Sequence, residues 1–308
     1  MKTDAHAKAE EGFNRRAATL GLRDLPRTLF EEVYVPLADW VAERKAAKNA
    51  PYFLGVNGAQ GSGKSTFCEL IRPVLQHLHG LQSGVLSVDD VYHTRRTRQE
   101  LAHRIHPLCA IRGVPGTHDL QLANEVFDQV LAADGNGVVR LPRFDKASDD
   151  RKAVDDWEIV REPLDVLLFE GWCVGCPPLP AWERPYNERE ERDDPEGIWA
   201  RWSQECLKTA YQALFARLDA LVMIKVPSME TVRQSRWLQE EKLWQAHEGK
   251  AEKPVGLMTR DEVWDYVALF ERHTEFMLDR LAARADRLVV RDHDFHYQLV
   301  TSQAAPHE

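Results

Sequence analysis

Residues 55–67 read GVNGAQGSGKSTF, and the placement of this stretch decides the fold. Gly58 to Ser65 match G-x-x-x-x-G-K-[ST] without deviation, and Thr66 follows. The motif needs a strand before it and a helix after it. The apolar run at 52–56 predicts the strand, and Phe67, Leu70, Ile71 and Leu75 predict the helix by their spacing. Glycines at 58, 61 and 63 admit backbone conformations closed to residues with a Cβ, so that successive N–H groups converge on phosphate oxygens. The helix N-terminus adds positive charge at the same point. Lys64 then neutralises the β- and γ-phosphates, while the Ser65 hydroxyl reaches Mg²⁺. Gly58, Ala59, Gln60, Gly61, Ser62, Gly63, Lys64, Ser65 and Thr66 are therefore the candidate binding loop for a nucleoside triphosphate with its Mg²⁺. The later strand LVMIKVPS (221–228) carries no N/T-K-x-D run of the kind that reads guanine, which favours ATP.

Working outward, short apolar runs at 52–56, 85–88, 166–169, 221–226 and 288–290 alternate with helical patterns at 64–79, 119–133, 197–217 and 261–284. Continuous apolar strands alternating with helices predict an α/β fold: a doubly wound, mainly parallel sheet with helices on both faces. Residues 15–48 read as helix, divided at Pro26 and Pro36, and Pro73 is expected to kink the helix after the loop. The expected organisation is an N-terminal helical segment (1–50) packing on the core, a nucleotide-binding domain (51–292) with a helical lid at about 227–260, and a C-terminal tail (293–308). The charged stretch 187–197 reads as a surface loop, 246–256 as mobile, and both tails as frayed.

Composition narrows the partners. The 308 residues carry 40 Lys+Arg against 49 Asp+Glu, a net charge of −9, with no long basic run, which argues against nucleic-acid binding. No apolar run reaches the roughly 18–20 residues that span a bilayer, and residues 1–16 lack the apolar core of a secretory signal. Five cysteines, an odd number, read as reduced thiols of a cytoplasmic protein. Cys173 and Cys176 form a C-x-x-C. Packed small residues in a turn are favoured over a redox dithiol, and no second pair completes a zinc site. Oligomeric state is not legible.

In doubly wound sheets ligands sit beyond the carboxyl ends of the strands, and two acidic clusters fall there. VLSVDDVY places Asp89 and Asp90 after one strand; VLLFEGW places Glu170 after another. Asp89 is the candidate base for an acceptor hydroxyl, and Glu170 the acid that fixes Mg²⁺ or its water shell. Asp90 is balanced between that site and helix capping.

GAQGSGKST, SVDDVY, RGVPGTHDLQL, LPRFDK and LFEGWCVG occur in one order, from 58 to 175. In this the sequence resembles the D-glycerate 3-kinases of plant type, relatives of pantothenate kinase, uridine kinase and phosphoribulokinase. The resemblance runs from about residue 25, through VYVPLADWV (33–41), to about 290. It implies a P-loop kinase fold and transfer of the ATP γ-phosphate to a primary hydroxyl of glycerate, with Mg²⁺. Its strand-end acid falls on Asp89, its Walker-type acid on Glu170, and its phosphate loop on Gly58 to Thr66. The family's glycine-rich stretch ending in G-D-R is shorter here, FDKASDDRKAVDDW (144–157).

By analogy with these relatives, residues 111–119 and 143–146, with Asp90 and Tyr92, line the acceptor pocket. Arg112 and Arg143 are candidate partners for a substrate carboxylate, because guanidinium binds carboxylate bidentately; Lys146 is a weaker one. His118 is a candidate for a substrate hydroxyl. Thr117 or Asp119 caps the following helix, a role compatible with substrate contact. Asp145 belongs to the same element. Arg233 and Arg236, i and i+3 on a helix, are either lid arginines closing on the phosphoryl group or surface residues paired with glutamates. Two other readings stay open: a kinase for pantothenate, a nucleoside or another sugar acid, and a nucleotide-switch ATPase with no acceptor.

Overall fold

The apolar runs pair edge to edge in the computed structural model, which describes residues 2–133, 137–247 and 257–300. In chain order the strands are β1 (Tyr52–Gly58), β2 (Ser83–Ser87), β3 (Val139–Leu141), β4 (Phe144–Asp145), β5 (Asp150–Arg151), β6 (Glu158–Val160), β7 (Val166–Gly171), β8 (Ala220–Lys225), β9 (Arg287–Arg291) and β10 (Tyr297–Val300). Six make one sheet in the order β10-β9-β8-β1-β7-β2. Every neighbouring pair is parallel except β9 with β10. The sheet is the doubly wound α/β arrangement that the alternating runs predict.

Successive strand residues point to opposite faces, and each face has its own core. Leu54, Val56 and Leu168 pack with Phe67, Ile71 and Leu75 of the helix Lys64–His79, and beyond them with Phe13, Tyr34 and Leu37. Phe53, Leu167 and Phe169 pack on the other face with Phe127, Tyr211 and Phe270. Both faces being covered, β1 and β7 are buried along their whole length, which is why they read as unbroken apolar runs.

Local expectations are corrected at several points. The N-terminal residues expected to fray form the helix Lys2–Thr19. Pro26 stands just before the next helix and so divides the segment, but Pro36 does not. A wide π turn, Phe30–Tyr34, precedes Pro36 and accommodates its missing N–H, so the helix continues to Ala46. Pro73 lies inside the helix Lys64–His79, which continues beyond it. Within the charged stretch 187–197, Asn187 caps the short helix Glu188–Asp193, and Glu190 is buried against Arg272. Residues 297–300, expected in a tail, form the edge strand β10. Residues 248–256, inside both the expected mobile stretch and the lid range, and 301–308 lie outside the described residues. Among the described residues no helix is long and apolar enough to cross a membrane.

Candidate active site

β1 ends at Gly58, and the chain turns through 59–63 into the helix Lys64–His79. Gly61 and Gly63 take φ of 73° and 87°, the left-handed region that favours glycine. Gly58 does not, and what it supplies is room: a Cβ there would collide with the Ser62 hydroxyl. The loop is held from behind. Buried Arg291 of β9 donates to the Gly61 carbonyl (3.0 Å) and to Ser235 Oγ (3.0 Å), and the Tyr297 hydroxyl of β10 donates to the Ser62 carbonyl (3.1 Å). Ala59 packs with Val226, Met229 and Val232, where the helix Met229–His247 begins. The Ser62 hydroxyl and Gln60 Oε1 are buried inside the loop.

Ser65 is exposed at the start of the helix, and its hydroxyl donates to Glu170 Oε1 (2.7 Å). Glu170 lies in β7, in register with Val56 of β1 and Ser87 of β2. Its other oxygen, Oε2, is buried and has no partner among the described residues. An unpartnered buried carboxylate oxygen is costly, and the water shell of a hard divalent cation would satisfy it. Ser65 and Glu170 therefore fit Mg²⁺.

The residues expected on the acceptor side begin where β2 ends. A 3₁₀ turn, Val88–Val91, buries Val88 and Val91 and leaves Asp89 and Asp90 outside the core, with the Asp89 N–H held by Ser87 Oγ. Asp89 accepts from the Tyr92 hydroxyl at Oδ1 (2.9 Å) and from Lys146 Nζ at Oδ2 (2.7 Å). Burial opposes its ionisation, but the charges of Lys146 and Lys64 outweigh burial and hold the carboxyl well below the usual carboxylate range. Asp90 accepts from Arg143 (3.1 Å) and from the Phe144 N–H (3.2 Å); burial still pushes it up to about 6.

The stretch 112–119 docks beside this turn. Tyr92 and His118 form a β-bridge, the His93 N–H donates to the Thr117 carbonyl (2.9 Å), and the Asp119 N–H to Val91 (2.7 Å). Several side chains here have tasks other than the expected substrate contact. Buried Thr117 donates to the Val114 carbonyl (2.8 Å) and accepts from the Gly113 N–H (3.0 Å), so its hydroxyl closes the loop itself. Asp119 caps the helix Leu120–Ala132 through the Leu122 N–H (3.1 Å) and pairs with Arg151 (3.0 Å). Asp145 accepts from the N–H groups of Ala147 and Ser148 in the turn between β4 and β5. His118 is buried, stacked on Tyr92 and against the Tyr211 hydroxyl (2.5 Å); burial pushes it down to about 3, so the ring is neutral.

The expected carboxylate partners are already occupied. Arg112 pairs with Asp149, and Arg143 with Asp90 and Glu158. Arg233 holds Glu271, and Arg236 holds buried Glu240 (2.7 Å), as in the glutamate-paired reading. It is the backbone of Arg236, beside Ser235, that approaches Gly61. With more acids than bases in the chain, guanidinium groups find carboxylates within the protein.

Sequence reasoning missed Arg98. It is 1% exposed and donates to the carbonyls of His93 (3.2 Å), Ala110 (3.0 Å) and Asp149 (2.6 Å), besides pairing with the Asp149 carboxylate (2.9 Å). The signal was available: Arg98 shares a helical face with Leu101, Ala102 and Ile105, a polar residue on an apolar stripe. Trp172 was also missed. Its Nε1 donates to the Gly113 carbonyl (2.9 Å), joining the end of β7 to the loop at 112–119. Cys173 and Cys176 are fully buried in a turn and burial pushes both thiols up, which suits packing rather than redox chemistry.

His273 packs edge-on to Trp172, and neither ring nitrogen has a partner among the described residues. Burial, with Arg272 beside it, pushes it down to about 3, as burial does His118. Unfolding lets both histidines take up protons, so the stability they contribute is full above about pH 6.5 and drains as pH falls toward the folded values. His273→Phe should lower that pH dependence by up to about 1.4 kcal/mol per pH unit. Urea midpoints between about pH 7 and about pH 5 check it; an unchanged slope refutes it.

No family model matches the chain. Over 253 residues it is 28% identical to the chloroplastic D-glycerate 3-kinase of Arabidopsis thaliana, a match covering 77% of this chain and 52% of that protein. The chain thus spans about half the length of that relative. Over 241 residues it is 31% identical to the uncharacterized kinase mug58 of Schizosaccharomyces pombe, covering 75% of this chain and 83% of that protein. Among solved structures, D-glycerate 3-kinase from Cryptococcus neoformans has the same fold, with a TM-score of 0.64 at 22% identity over 87% of this chain and 99% of that one. Identity of that extent to the mug58 kinase, on this sheet and with this phosphate loop, means that the chain belongs to the P-loop kinases.

Proposed function

We propose that the chain transfers the γ-phosphoryl group of ATP to the primary hydroxyl of a short hydroxy acid, D-glycerate foremost, giving 3-phosphoglycerate and ADP. One observation carries this reading. Lys64, Ser65 and Glu170 on the phosphate side face Asp89 on the acceptor side across neighbouring strand ends, close enough for the Lys64 charge to act on Asp89. A nucleotide switch has no use for a structured acceptor wall, and this chain devotes residues 89–119 and 143–151 to one. The name of the Arabidopsis relative supports glycerate as the acceptor.

The loop N–H groups and Lys64 hold the β- and γ-phosphates and oppose the charge that spreads over the phosphoryl oxygens in transfer. Mg²⁺, held by Ser65 and through its water by Glu170, would neutralise phosphate charge when bound. Asp89 receives the acceptor hydroxyl and aims it along the line of attack. A carboxylate held so firmly ionised is an orienting acceptor more than a strong base. That suffices for a loose transition state, in which the hydroxyl proton leaves late.

Coupled ADP release tests the reading, with D-glycerate, pantothenate, uridine, glycerol or no acceptor. Glycerate-dependent release is expected. Dependence on another acceptor replaces the substrate, and turnover indifferent to any acceptor removes the phosphotransferase reading altogether.

A further inference from the structure

Three of the cations expected on the acceptor side, Arg112, Arg143 and Lys146, differ in what they hold. Arg112 holds Asp149, which buried Arg98 also holds; Arg143 spans Asp90 and Glu158. Both arginines tie one loop to another, and their side chains are 25% exposed. Lys146 stands at the β4–β5 turn with its side chain 63% exposed, and the carboxylate it holds is Asp89.

The size of the acceptor makes that difference matter. In a three-carbon hydroxy acid the carboxylate lies only about 4 Å from the terminal hydroxyl oxygen, by ordinary bond lengths. A cation that pairs with the carboxylate must therefore stand beside the group that receives the hydroxyl. Lys146 Nζ, 2.7 Å from Asp89 Oδ2, meets that condition.

We propose that Lys146 anchors the acceptor carboxylate by exchange: it leaves Asp89 for the incoming carboxylate, and the Oδ2 it vacates receives the acceptor hydroxyl. This rests on the hydroxy-acid reading above and names the residue that selects the acid. One ammonium–carboxylate contact replaces another, so the exchange costs little. Oδ1 stays fixed throughout by the Tyr92 hydroxyl. Withdrawing one of the two cations that hold Asp89 ionised also makes its carboxylate a better acceptor for the hydroxyl hydrogen. A neutral alcohol offers nothing to draw Lys146 away, so it meets an Asp89 already occupied. Selection between a hydroxy acid and a polyol of the same size then follows from charge. Neither arginine has to release the loops that it ties together.

The test compares wild type, Lys146→Met and Lys146→Arg with D-glycerate and with glycerol, and titrates ATP binding directly. Lys146→Met should lower the glycerate-to-glycerol ratio of kcat/KM about 10- to 100-fold, the loss of one charge-assisted contact. The loss should fall mainly on the KM for glycerate, and Lys146→Arg should restore most of the ratio. A ratio unchanged in Lys146→Met, with glycerate turnover intact in wild type, overturns this inference and leaves the substrate reading standing. Equal loss with both acceptors overturns it too, by making Lys146 a structural residue. No glycerate-dependent turnover in wild type removes the substrate reading, and the exchange with it.

Discussion

Asp89→Asn is expected to lower kcat about 10³-fold while ATP affinity changes little. The amide has the shape of the acid and still accepts from Tyr92 at its oxygen. Its nitrogen offers no acceptor where the hydroxyl must bind, and the amide carries no negative charge to offset those of Lys146 and Lys64. The groups proposed to hold ATP come from the ends of β1 and β7 and the helix after β1, whereas Asp89 lies in the turn after β2, so nucleotide binding is expected to survive. Single-turnover phosphoryl transfer with a parallel ATP titration separates the two. Retained turnover with lost ATP affinity would place Asp89 on the nucleotide side and contradict its assignment.

Arg98→Met should destabilise the fold by about 3 kcal/mol, because it removes one partner of a buried ion pair and leaves its acceptors behind. Asp149 would keep Arg112, but the carbonyls of His93, Ala110 and Asp149 would each lose a donor. Those carbonyls belong to the segment after the Asp89 turn, the start of the acceptor loop, and the β4–β5 turn that carries Lys146. Loosening them should raise the KM for the acceptor more than that for ATP. Arg96→Met is the control two residues away. Arg96 is 89% exposed and pairs with Glu100 one turn on, so its loss should stay within about 0.5 kcal/mol. Urea midpoints for the pair settle the contrast; equal effects would mean that Arg98 is not the clamp its hydrogen bonds describe.

Both predictions concern residues of neighbouring segments, yet they stood differently in the sequence. Asp89 was legible because an acid that closes an apolar run has few structural reasons to be there. The phosphate loop was legible for the same kind of reason, since strand, glycines, Lys-Ser and helix are contiguous and each constrains the next. Arg98 was passed over because an arginine is ordinarily solvated, and only its company of Leu101, Ala102 and Ile105 marked it otherwise. The clamp on the loop by Arg291 and Tyr297 had no local signal, for those residues act on Gly61 and Ser62 from more than two hundred positions away.

What the sequence determined by itself was whatever neighbours along the chain impose: the parallel sheet from its apolar runs, the anion site from Gly58 to Thr66, and the acids at the ends of β2 and β7. Which charge meets which was decided only in three dimensions. Lys146 reaches Asp89 across 57 positions, Arg112 reaches Asp149 across 37, and Arg143 reaches Asp90 across 53. All three pairings depend on how the hairpin of β4 and β5 folds back over the turn after β2. Coulomb attraction discriminates by distance in space, which spacing along the chain does not encode, so the arginines that sequence reading assigned to the substrate are held by carboxylates of the protein.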